Sequence, residues 1–103
     1  MIELSGRPTY EDASVKIDFS QHQVWADGSE VTLQPLQFGL LAALVEEPGR
    51  TLSWRALGDR VWPNPPYSPV AVKRQVSYLR LAIGWERVQT IYKFGYRYIG
   101  HKE

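Results

Sequence analysis

The side chains best suited to chemistry in this sequence lie on two consecutive elements near its C-terminal end. Val70 to Ile83 reads as an amphipathic helix, because Val72, Val76, Leu79 and Ile83 fall within about 60° of one another at 100° per residue and form a core-facing stripe. Arg74 and Leu81 then point almost directly away from the stripe, Val70, Ser77 and Tyr78 lie beside them, and Lys73 and Arg80 flank it. A hairpin read over Val88 to Ile99 follows and carries Lys93 and Arg97. Such a set is equipped to recognise a polyanion. Ammonium and guanidinium groups neutralise phosphates, an arginine fork matches a guanine edge, and hydroxyls pair with either kind of site. A helix fits the major groove of duplex DNA, and a hairpin can lie beside it.

The overall charge conceals this feature. The 103 residues carry a net charge of only +1. Split at Gly49, the first part sets Arg7 and Lys16 against eight carboxylates, a balance of −6, and the second sets ten cations against Asp59, Glu86 and Glu103, a balance of +7. A phosphate backbone responds to the local field, so charge segregated along the chain points to a nucleic-acid partner where net charge does not.

Other classes of function find little support. No cysteine is present, so there is no disulfide framework or thiolate metal site, and His22 and His101 have no spacing that suggests a triad or a metal site. Glu46, Glu47 and Asp59 suit helix ends and solvent, and no glycine-rich loop could cradle a phosphate. No catalytic residue, metal or cofactor is expected. Lys93 to Ile99 faintly echoes an RNA-recognition strand, but the second glycine of that motif and the βαββαβ order are missing. The longest apolar run, Leu40 to Val45, is too short to span a bilayer, and the N-terminus lacks signal-peptide features, so a soluble, cytoplasmic chain is expected.

The elements that must position these residues can also be read. A hydrophobic content of 44% in 103 residues suits one domain with one core. Residues 1–9 hold Gly6 and Pro8 without periodicity and read as a linker or frayed arm, 10–100 as the domain, and 101–103 as a tail. From Tyr10 to Leu33 short alternating runs predict an antiparallel sheet: Val15, Ile17 and Phe19 on one strand, Val24 and Trp25 on a second, Val31 and Leu33 on a third, and an extra strand at Tyr10 to Ala13. Asp27-Gly28 supplies one of the turns. Pro35 opens a first helix with Leu36, Leu40, Leu41 and Leu44 at helical spacing, and Pro48-Gly49 stops it. Ser53 caps a second helix, Trp54 to Val61, and Ser68-Pro69 starts the third. In the hairpin, Gly95 is expected to make the tight turn, with Lys93 near the tip and Tyr92 on the strand.

From Tyr10 to Gly100 the sequence resembles the OmpR/PhoB-type winged-helix effector domains of bacterial response regulators. The motifs are Leu33-Gln34-Pro35-Leu36-Gln37-Phe38 with Leu40-Leu41, Pro48-Gly49-Arg50-Thr51-Leu52-Ser53, Val61-Trp62, Val72 to Arg80, and Gln89-Thr90-Ile91 with Gly95-Tyr96-Arg97-Tyr98. Each is weak alone, but five in the family's order make a strong match. The resemblance implies an α+β winged helix-turn-helix: an N-terminal antiparallel four-stranded sheet, three helices and a C-terminal hairpin wing. It implies that the third helix enters the major groove, that residues matching Arg74 and Tyr78 face base edges, and that those matching Thr90, Trp62 and several on the third helix touch phosphates. It also implies that the loop Pro63, Asn64, Pro65, Pro66 and Tyr67 faces RNA polymerase. Where the family has Arg-Gly at the start of the wing turn, this chain has Tyr92-Lys93, and Lys93 is expected to replace the missing arginine at the minor groove.

The expectation is therefore a sequence-specific regulator of bacterial transcription. Lys73, Arg74, Ser77 and Tyr78 read bases, Arg80, Thr90 and Trp62 position the backbone, and Lys93 tips the wing. Its partners would be double-stranded DNA with tandem half-sites, RNA polymerase, and a receiver domain in cis, the isolated domain being a monomer that dimerises on DNA. The alternative is a winged helix used for protein contact, favoured by the outward Val70, Tyr78 and Leu81.

Overall fold

Apolar residues alternate with polar ones between Thr9 and Val31, and the computed structural model, which describes residues 9–99, folds this stretch into a four-stranded antiparallel meander. Its strands are β1 (Thr9–Glu11), β2 (Val15–Asp18), β3 (Gln23–Ala26) and β4 (Ser29–Val31), in spatial order β1-β2-β3-β4. The register sets Ile17 opposite Val24 and Val24 opposite Val31. Val15, Ile17, Val24 and Ala26 are thereby buried on one face, while Lys16 pairs with Trp25 on the other, its Nζ 5.4 Å from the ring centroid. Asp27 and Gly28, with φ of 52° and 85°, make the two-residue turn that right-twisted strands require. The first strand begins at Thr9, one residue inside the expected arm, and the last ends at Val31, so Leu33 lies in the connection to the helices. The rest of that arm and the 101–103 tail lie outside the described residues.

Three helices follow: α1 (Pro35–Glu46), α2 (Trp54–Val61) and α3 (Pro69–Ile83). Each begins as its sequence dictates. Pro35 stands at the start of α1, where the Gln37 side chain accepts from Gln34 N–H at 3.0 Å. Ser53 Oγ accepts from Ala56 N–H at 3.0 Å, and Ser68 Oγ from Ala71 N–H at 3.1 Å. α1 buries Leu40, Leu41, Leu44 and Val45 and packs against both α2 and α3. It is the central pillar of the core.

The chain closes with a hairpin of β5 (Val88–Ile91) and β6 (Gly95–Tyr98), reached through a single 3-10 turn at Trp85–Arg87. Leu52 extends this hairpin on one side: its N–H donates to Tyr96 O at 2.8 Å and its carbonyl accepts from Tyr96 N–H at 2.9 Å. Two polar ties hold the hairpin base to the N-terminal sheet. Tyr98 Oη donates to Asp12 at 2.7 Å, and Arg87 pairs with Asp27 at 2.8 Å. The expected α+β winged helix-turn-helix, with its sheet, three helices and hairpin, is the architecture observed.

Candidate nucleic-acid interface

α3 presents its two faces as the periodicity requires. Val72, Val76, Leu79 and Ile83 are all at most 1% exposed, so the helix is clamped by its apolar stripe. Opposite them Val70, Lys73, Arg74, Tyr78 and Leu81 are exposed, with Ser77 at the margin. Burying such a stripe contributes about 1.5–3 kcal/mol per side chain, which fixes the rotation of the helix and hence the direction of Arg74. Gly84 ends it, its φ of 111° open to glycine and its N–H donating to Arg80 O at 2.8 Å.

Arg80 departs from its expected place. It lies on the flank of the stripe that the returning hairpin covers, and is only 8% exposed. Its Nε donates to Val88 O at 2.9 Å and its terminal nitrogen to Thr90 Oγ1 at 2.6 Å, with the Trp85 and Tyr96 rings 5.2 and 5.7 Å away. Burial lowers its pKa, with Tyr96 opposing the shift, yet a guanidinium stays charged over the whole working range. Arg80 therefore fastens the helix to the wing and orients Thr90, which is itself exposed.

The wing turn also differs from the reading of its sequence. Ile91 pairs with Gly95, so Tyr92, Lys93 and Phe94 form the turn, closed by Phe94 N–H donating to Ile91 O at 2.9 Å. Tyr92 leaves the strand, and Lys93 stands at the tip with φ of 67°. Gly95 belongs to β6, where a Cβ would come within 2.1 Å of Leu52 O. Glycine is needed there for close approach between strands rather than for the turn.

Trp62 and Tyr67 are packing residues as well as candidates. Trp62 caps α2 and is half-buried, its ring 5.9 Å from that of Tyr67. Tyr67 folds back over Gly58, where any side chain would collide with its ring, and its hydroxyl donates to Asp59. That hydrogen bond, together with burial, raises the Tyr67 pKa. Of the five loop residues expected to face a partner, Pro63, Asn64, Pro65 and Pro66 are exposed, whereas Tyr67 is half-buried.

The electrostatic pattern is sharper than the sequence suggested. Arg50 pairs with Glu47 at 2.6 Å, Arg60 with Glu46 at 3.3 Å, and Arg87 with Asp27 and Glu86, each at 2.8 Å. Among the described residues, Lys73, Arg74 and Lys93 form no ion pair. Sequence reasoning passed over Arg55, exposed and 5.1 Å from the Trp54 ring, and the exposed Tyr92 and Phe94 beside Lys93. The missing glycine in the wing turn was the available signal for the last two. His22 packs on Phe38, with ring centroids 4.7 Å apart. Among the described residues no helix is long and apolar enough to cross a membrane, and no cluster of metal-ligating side chains occurs.

A four-stranded sheet, three helices and a hairpin beside an outward cationic helix define a winged-helix domain. Residues 28–98 match the family described as "Transcriptional regulatory protein, C terminal", and the chain belongs to that family, of OmpR/PhoB type. It is 33% identical to the transcriptional regulatory protein CutR of Streptomyces coelicolor over 93 residues, covering 87% of this chain and 42% of the relative. BasR of Escherichia coli, also a transcriptional regulatory protein, is 27% identical over 92 residues, covering 87% and 41%. The chain thus spans about two-fifths of the length of these curated relatives. Among solved structures, the response regulator DrrB of Thermotoga maritima, an OmpR/PhoB homologue, superposes with a TM-score of 0.85 at 26% identity, covering 93% of this chain and 46% of that one. The RstA DNA-binding domain of Klebsiella pneumoniae, solved with its RstA box, shares the fold with a TM-score of 0.79 at 23% identity, covering 92% of this chain and 100% of that one. The family is one of transcription regulators, not of enzymes.

Proposed function

We propose that this domain binds double-stranded DNA sequence-specifically as the output domain of a bacterial transcriptional regulator, with α3 in the major groove and the wing at the minor groove. The observation that carries the proposal is the outer face of α3, where Lys73 and Arg74 stay exposed and, among the described residues, form no ion pair, while Arg50, Arg60 and Arg87 are matched to carboxylates. Lys73, Arg74, Ser77 and Tyr78 read base edges, and Thr90 and Trp62 hold phosphates. Arg80 acts through Thr90, which it positions. Lys93 approaches the minor groove in place of an arginine.

In this reading the protein works in the cytoplasm, and the domain is a monomer that pairs on tandem half-sites. The greater length of its relatives, together with the description of DrrB as a response regulator, supports a receiver domain in cis. The exposed prolines of the loop after α2 offer a rigid surface to RNA polymerase.

Selection of bound sites from random duplex DNA tests the proposal. A defined motif is expected, with affinity rising on two half-sites whose centres are about 10–11 base pairs apart and falling steeply with salt. Absence of binding to any selected duplex at low salt would end the DNA reading. A second reading, contact with a protein, draws on Val70 and Leu81, which are 63% and 69% exposed on the same face. Retention on heparin separates the two, because phosphate contacts weaken with salt and apolar contacts do not.

A further inference from the structure

The wing tip carries the two most exposed large apolar side chains of the described residues, Tyr92 at 80% and Phe94 at 71%. They flank Lys93, whose Nζ lies 5.5 Å from the Tyr92 ring. Lys93 also occupies the left-handed region, with φ of 67°, where glycine would sit with less strain. A solvated turn needs none of these features, and a soluble surface disfavours the aromatic pair.

The tip is held rigidly. Two backbone hydrogen bonds join Tyr96 to Leu52, Gly95 allows that close approach, and Arg80 fastens Thr90 to α3. A stiff hairpin therefore projects two aromatic rings and one cation at a fixed distance from the outer face of α3. Val88 to Ile99 contains Lys93 and Arg97 and no carboxylate, so its field favours a polyanion over a basic or a neutral apolar surface.

We propose that the wing tip is an aromatic wedge: Tyr92 and Phe94 enter the minor groove beside the α3 site and partly unstack one base step, while Lys93 neutralises a neighbouring phosphate. The inference rests on the duplex-binding reading and extends it to deformation of the DNA. Apolar side chains inserted between base steps kink a duplex towards the major groove, and pyrimidine–purine steps yield most readily. The wedge would thus select a flexible flank that no side chain reads by hydrogen bonding.

The test uses duplexes selected from a random pool, each carrying 2-aminopurine at one flank step, a base whose fluorescence rises on unstacking. At saturating wild-type protein, fluorescence should rise at one flank step and stay level at the others. The double variant Tyr92→Ala with Phe94→Ala should lose that rise, bind roughly tenfold more weakly, and keep the same core motif, because base–aromatic stacking is lost while the α3 contacts remain. Both side chains are exposed, so its thermal unfolding midpoint should match wild type. A saturated duplex with no rise at any flank step overturns the wedge and leaves duplex binding standing. Failure to bind every selected duplex overturns both readings. A double variant that keeps the rise, or that loses only self-association, assigns the tip to protein contact and overturns the wedge.

Discussion

Arg50, Arg60 and Arg87 come from the same cation-rich stretch of chain as Lys73, Arg74 and Lys93, yet the fold treats the two groups differently. The first three lie where α1 and the N-terminal sheet can reach them, and each meets a carboxylate contributed by the acidic half of the sequence. The others project from α3 and the wing, where no described carboxylate pairs with them. The acidic half thus neutralises Arg50, Arg60 and Arg87 and leaves Lys73, Arg74 and Lys93 unmatched among the described residues. Exposed ion pairs stabilise by no more than about 1 kcal/mol, so the arrangement matters more for where charge survives than for how firmly the domain folds.

Arg80 is the sharpest way to probe that division, because it sits on α3 but is spent internally. Arg80→Met keeps the apolar stem and removes hydrogen bonds to Val88 O and Thr90 Oγ1, so it should lower unfolding free energy by about 2–3 kcal/mol. Denaturant unfolding measures this, and wild-type stability in the variant would return Arg80 to the group of surface cations. Arg74→Ala should behave in the opposite way. Its stability should stay within about 0.5 kcal/mol of wild type. Affinity for the selected duplex should fall by about 1–3 kcal/mol and preference relax at one base position. Arg60→Ala, on the paired side, should leave both motif and affinity unchanged in the same titration. Equal losses for Arg74→Ala and Arg60→Ala would erase the distinction between the two faces.

A smaller loss of stability than at Arg80 is expected at Asp12, where the hairpin base meets the sheet. Burial pushes its pKa up, but hydrogen bonds from Tyr10, Tyr98, Ser14 and Val15 outweigh burial and hold it below the ordinary 3.8. Burial, reinforced by the same contact, raises the Tyr98 pKa. A carboxylate with a lowered folded pKa contributes stability that is fully present above its unfolded value and is lost as pH falls through the folded one. Asp12→Asn should therefore cost about 1 kcal/mol at neutral pH. The difference should shrink as pH drops below about 4. Unfolding midpoints of both proteins across that window check the sign; a difference that grows on acidification would show that Asp12 is not the ionised acceptor.

Much of the fold was legible because its determinants are local. The bounds of α2, Trp54–Val61, follow from a serine cap before it and Trp62-Pro63 after it, and the start of α3 follows from Ser68-Pro69. The facing of Val72, Val76, Leu79 and Ile83 is a matter of helical periodicity, which the order of residues fully encodes. The same periodicity set Arg74 outward.

What the sequence did not decide concerns residues whose surroundings come from distant parts of the chain. A wheel places Arg80 on a flank, but only the hairpin returning across that flank buries it against Val88, Thr90 and Trp85. Gly95 reads as a turn residue until Leu52 is found beside it, and Tyr67 reads as loop until Gly58 is found beneath it. The carboxylates Glu46 and Asp27 that Arg60 and Arg87 meet likewise depend on which elements pack together. Local order in the chain therefore set the elements and their apolar faces, because periodicity and capping act within a few residues. Tertiary packing decided that Arg60, Arg80 and Arg87 were consumed inside the fold while the cations of the outer α3 face were left for a partner, because burial and long-range ion pairing depend on distance in space.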